Sequence, residues 1–106
     1  MSPMLKKNIL EKYEQFTSRT LERYFQDKLM ETQQYTQIGN WWDRKGENEI
    51  NLVAINEFDH TGIVAEVKRN PRKISMQALE EKIAHLPASD FGRYDLQLKA
   101  FSMEDM

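Results

Sequence analysis

Cysteine is absent from this 106-residue chain, which excludes disulfides, thiolate nucleophiles and Cys-based zinc sites together. The absence fits a reducing compartment, and a cytoplasmic location is the expectation. Histidine is scarce: His60 sits beside Asp59 in a turn and His85 lies near a helix end, where ordinary capping is its role. Neither has the partners a metal site needs. The four glycines stand singly, so no glycine-rich loop is available to cradle a phosphate, and a nucleotide-binding motif is missing. No apolar run approaches the roughly 20 residues needed to cross a bilayer. Lys6 and Lys7 are not followed by the apolar stretch of a signal peptide, so no membrane partner is expected. Charge of one sign is lacking too: fifteen basic and seventeen acidic residues leave a net charge of -2. Any attraction to a polyanion must therefore be local.

What is present reads as one small domain with a single modest core. Ser2-Pro3 suits the start of a helix, with Leu5, Ile9, Tyr13 and Phe16 on one face. The stripe loses phase near residues 16–18. Thr17 or Ser18 then caps a second helix, or continues a kinked one, with Leu21, Tyr24, Phe25 and Leu29 apolar and Glu22 beside that face. β-forming residues predict strands over 34–43, 49–56 and 63–68, with polar turns at 44–48 and 57–62. Met76, Leu79, Ile83 and Leu86 mark a helix capped at Ser75 and stopped by Pro87, and alternation over 94–102 marks a last strand. The expected class is α/β: one or two helices, three strands, a crossover helix and a fourth strand, forming a small mixed sheet flanked by helices.

The chemistry concentrates on the second and third strands. Glu66 and Lys68 are two apart, so they share a strand face, while Ala65 and Val67 point into the opposite layer. By the same alternation Glu49 and Asn51 share a face of the neighbouring strand, which lets Asn51 sit beside Glu66. Each residue also has an ordinary structural reading: a same-face ion pair, a solvated helix glutamate at 22, a hydrogen-bonding asparagine. Trp41 and Trp42 must face opposite ways, one to the core and the other to a helix contact or protein interface. Arg69, Arg72 and Lys73, just beyond Lys68, either grip phosphates or form a solvated turn.

Glu22 on a helix, Asn51 on one strand and Glu66-x-Lys68 on the next resemble the PD-(D/E)xK nuclease superfamily, whose fold is restriction-endonuclease-like. The run Ile38-Gly39-Asn40-Trp41-Trp42-Asp43-Arg44, then Glu49-Ile50-Asn51-Leu52-Val53-Ala54-Ile55, then Glu66-Val67-Lys68 is similar to the C-terminal domain of archaeal-type P-loop (DEXX-box) ATPases. In that family the tryptophan strand is followed by glutamate-isoleucine-aspartate and glutamate-x-lysine. The resemblance covers about residues 15–102 and implies a nuclease-like domain at 18–106. Residues 1–17 would then be in part a linker to ATPase and winged-helix regions of the same polypeptide.

The resemblance also implies roles. Glu66 would hold Mg2+ or Mn2+, Lys68 would orient water or stabilise developing charge, and Glu22 would be an outer or orienting carboxylate. Asn51 stands where the aspartate ligand belongs. An amide oxygen brings no charge to a hard cation that dehydrates reluctantly, so metal affinity should fall. Glu49 is a weak substitute, displaced about 6–7 Å along the strand. The expectation is a catalytically degenerate domain that binds DNA or regulates its ATPase. The alternatives are an active Mg2+- or Mn2+-dependent DNA endonuclease and a protein-interaction or homo-oligomerising domain without nucleic-acid binding.

Overall fold

In the computed structural model, which describes residues 17–106, Thr17 caps the helix α1 (Ser18–Glu31) by accepting a hydrogen bond from the Thr20 amide at 3.1 Å. The expected earlier helix, with Leu5, Ile9, Tyr13 and Phe16, and almost all of the expected linker lie outside the described residues. Four strands follow: β1 (Gln37–Trp42), β2 (Glu49–Asn56), β3 (Thr61–Val67) and β4 (Asp95–Phe101). Helix α2 (Met76–Ile83) and a single turn, α3 (Ala88–Phe91), lie between β3 and β4. The sheet order is β1-β2-β3-β4, with antiparallel pairing for the first two contacts and parallel pairing of β3 with β4. This is the mixed, helix-flanked sheet that the element order predicts.

Boundaries differ in ways that local chemistry explains. The first strand starts at Gln37 rather than 34, because Gln33 takes a positive φ of 57° and turns the chain out of α1. Helix α2 starts where expected, with Ser75 accepting from the Ala78 amide, but ends at Ile83. Leu86 still packs on the core as part of the following turn. Pro87 then opens α3, which the sequence pattern did not indicate. Between β1 and β2, Asp43 accepts from the Glu47 amide and from Asn48 Nδ2, and Gly46 supplies the positive φ of 70° that the turn requires.

Two apolar clusters hold the sheet between its helices. On one face Leu21 and Phe25 of α1 pack with Leu52, Ala54, Ile63, Ala65, Val67 and Met103. Phe25 also stacks on Phe101 with ring centroids 4.7 Å apart. On the other face Leu79 of α2 packs with Ile50, Val53 and Val64, and Trp41 leans on that cluster. Trp42 points the other way and is 60% exposed. With both faces covered, β3 is buried from Gly62 to Val67, and Glu66 falls inside that run.

The β2 strand carries an irregularity at the position that matters most. Gly39 pairs with Val53 but Trp41 pairs with Ile50, so three steps of β2 oppose two of β1. Such a bulge breaks strict alternation. Ile50 and Val53 consequently share one cluster while Leu52 faces the other. Pairing of β2 with β3 stops at Leu52 and Ala65, whereas β2 stays with β1 to Glu49 and β3 stays with β4 to Val67. The two central strands therefore part at one end, and the candidate residues lie in the opening.

Candidate functional site

Asn51 stands where β2 leaves β3 and replaces the lost ladder partner. Its Oδ1 accepts from the Val67 amide at 3.0 Å and its Nδ2 donates to Glu22 Oε1 at 2.8 Å. The orientation of the amide follows from its partners, since the Val67 N–H can only donate. Alternation along an unbulged strand places Asn51 with Glu49 and beside Glu66. Its side chain instead meets Glu22 on α1 and the main chain of β3, and Glu49 also acts on the Glu22 carboxyl.

Glu66 is 6% exposed. Its Oε1 lies 3.6 Å from Lys68 Nζ, the same-face pair read from the sequence, and 3.5 Å from Lys82 Nζ on the last turn of α2. Its Oε2 is buried with no hydrogen-bond partner among the described residues. Lys82 escaped sequence reasoning. It closes the charged run Glu80-Glu81-Lys82, which looks like a solvated helix face. The available clue was its spacing from Leu79 and its place before Ile83, both on the apolar flank of the helix.

Glu22 lies half-buried on α1 and joins the cluster from the opposite layer. Burial first, and then the charge of Glu49, push its carboxyl above the ordinary glutamate value of 4.5, and Glu66 adds to the rise. The hydrogen bond from Asn51 and the Lys68 ammonium pull it down, but not enough to cancel those effects. Glu49 itself is exposed at the start of β2 and acts on Glu22 through its charge.

The residues do not fit the paired-carboxylate cation cradle that the resemblance implies. Asn51 presents N–H to Glu22 and has committed its oxygen to the main chain. Among the described residues no three Asp, Glu, His or Cys side chains group as a metal ligand set. Magnesium favours charged oxygens in octahedral array, and the buried Glu66 carboxylate already faces two ammonium groups.

Two clefts flank the first turns of α1. One, of about 500 Å3, is lined by Arg19, Glu22, Arg23 and Asn40 among others; the second, of about 380 Å3, by Ser18, Lys68, Arg69, Asn70 and Lys73. Arg72 is exposed in the 3-10 turn Pro71–Lys73 and is not among the residues lining either cleft. Arg19 and Arg23 were missed because their i, i+4 spacing on an exposed helix face carries no special mark in sequence. Another cleft, of about 400 Å3 and lined by residues such as Asn56, Asp59, Gly62 and Asp95, lies at the far end of the β2–β3 hairpin, away from Glu66. Among the described residues no helix is long and apolar enough to cross a membrane.

A family model for archaeal and bacterial proteins of unknown function, DUF234, matches residues 1–83. No curated protein and no solved structure matches the chain.

Proposed function

Since the chain belongs to that archaeal and bacterial family, which carries no assigned activity, we propose a function from the site: a nuclease-like domain that has lost hydrolysis and binds DNA phosphates. The observation that carries this reading is the engagement of Asn51, whose amide bridges the Val67 N–H and Glu22 where a metal-binding carboxylate would be needed. Metal-activated water is the usual source of nucleophile in such chemistry, and a site without an open carboxylate pair has weak means to hold the ion.

Binding is supported by the basic rim. Arg19, Arg23, Lys68, Arg69 and Lys73 line the two clefts beside α1, with Arg72 on the adjoining turn. Lining clefts beside α1 in a chain whose net charge is only -2, they would supply the local field that phosphate contacts require. On the sequence resemblance, the domain would be the C-terminal part of a P-loop ATPase and would tether or regulate that ATPase on DNA.

The test is binding of duplex and branched DNA across a salt series, with and without Mg2+ or Mn2+. Binding should weaken steeply with salt, and replacing Arg69, Arg72 and Lys73 with alanine should reduce the slope of log K against log salt by about 2–3. Cleavage with either cation that disappears in Glu66→Ala would establish an active endonuclease instead. Failure to bind any DNA at low salt would favour the protein-contact reading, for which the exposed Trp42 and the 86% exposed Phe58 are the supporting observations.

A further inference from the structure

Two cationic side chains converge on one oxygen of a buried carboxylate. Lys82 Nζ and Lys68 Nζ lie 3.5 Å and 3.6 Å from Glu66 Oε1, while Oε2 is buried without a hydrogen-bond partner among the described residues. A carboxylate removed from water requires compensating positive charge, supplied by an ion or by side chains. Lys68, just past the end of β3, is a near neighbour of Glu66, but Lys82 comes from sixteen residues further along, across the α2–sheet interface. Leu79 is buried in that interface and Ile83 packs on the same cluster, so the stem of Lys82 lies along an apolar flank. Its ammonium, with the side chain 28% exposed, is directed at the carboxylate.

We propose that the Lys82 ammonium is a tethered replacement for a divalent cation at Glu66. It provides from the chain itself the positive charge that an ion would bring, and it keeps an ion out. A divalent cation on Glu66 would meet two ammonium groups beside the same carboxylate and strong repulsion from both. The amide of Asn51 completes the exclusion, because its N–H groups face the side from which Glu22 would contribute. Loss of one carboxylate at 51 and presence of a cation at 82 are thus complementary: each leaves the cluster less attractive to metal, and together they leave its charge balanced. This inference rests on the reading of the site as nuclease-like, but not on its binding DNA.

Mn2+ binding to the 106-residue chain, followed by calorimetry and electron paramagnetic resonance, tests the proposal. Wild type should show no binding at millimolar Mn2+. Lys82→Met combined with Asn51→Asp should bind Mn2+ about tenfold or more tightly than Asn51→Asp alone, since the two differ only in the loss of the competing cation. Adding Glu66→Gln should abolish that gain, and Lys82→Arg with Asn51→Asp should not produce it. A folded Lys82→Met, Asn51→Asp chain with unchanged Mn2+ affinity would overturn the proposal. So would Mn2+ binding by wild type that Glu66→Gln removes, a measurement that needs no Lys82 variant to fold. DNA binding is read in a separate assay. A gain of Mn2+ binding in a chain that ignores DNA leaves the tethered cation in place and removes only the DNA-binding reading.

Discussion

Asn51 shows how one amide can be structural at a position where a family pattern expects chemistry. It takes the N–H that Val67 offers at the parted strands and ties α1 to the sheet through Glu22. Asn51→Ala should cost about 1–3 kcal/mol in urea unfolding, because the Val67 N–H loses its acceptor in a nearly water-free place. A loss within measurement error would mean that water or a shift of β3 meets that donor instead. Glu22 gives a pH signature of the same cluster. Its folded pKa is raised, so the native state holds its proton more tightly than the unfolded chain does. Stability from this group is therefore present in full below the unfolded value of 4.5 and is lost as pH rises through the folded pKa. Glu22→Gln retains a side-chain oxygen for Asn51 and removes the charge. Its unfolding midpoint relative to wild type should be higher at pH 7 than at pH 4, and an equal difference at both pH values would contradict the cluster's electrostatics.

At the scale of elements, the parting of β2 and β3 is the device that opens the site, and the rest of that hairpin is held closely. Gly62 pairs with Ile55 on one side and Leu96 on the other. A Cβ there would meet the Ala54 carbonyl oxygen at 2.5 Å and the Ile55 Cα at 3.1 Å, both backbone atoms of the paired strand. Gly62→Ala should lower stability by about 1–3 kcal/mol, the usual range for overpacking, with a measurable fall in thermal midpoint. An unchanged midpoint would show that the hairpin can spread at no cost. The α2 helix is the other decisive element. Its cap at Ser75 and its apolar flank are local properties, yet what it delivers to the site is Lys82, a residue set by how the helix lies on β3.

For the whole molecule, two helical layers meet at one end of the sheet. Helix α1 brings Glu22 from one face, α2 brings Lys82 from the other, and between them lie Glu66 on β3 and Lys68 just past its end. Lys68, Arg69 and Lys73 line one cleft beside α1, and Arg19 and Arg23 line the other together with Glu22 and Asp27, on a chain that is slightly acidic overall. The salt dependence expected of DNA binding belongs to this scale, since it depends on how many cations face one phosphate backbone and not on any single contact.

Sequence by itself determined the order of the four strands and their two main helices, the opposite orientations of Trp41 and Trp42, and the nearness of Glu66 to Lys68. Period-two and period-3.6 patterns, caps and turn residues are local, and a strand places residues i and i+2 on one side without help from the rest of the chain. The bulge in β2 was hidden because Leu52-Val53-Ala54-Ile55 is apolar throughout, as a strand covered on both faces must be, so no change of alternation marks the extra residue. Only the tertiary structure decided which way Asn51 turns, that Glu22 meets it, and that Lys82 reaches Glu66. Those contacts join residues 29 and 16 positions apart, and their geometry follows from the packing of α1 and α2 on opposite faces of the sheet, which no local pattern encodes.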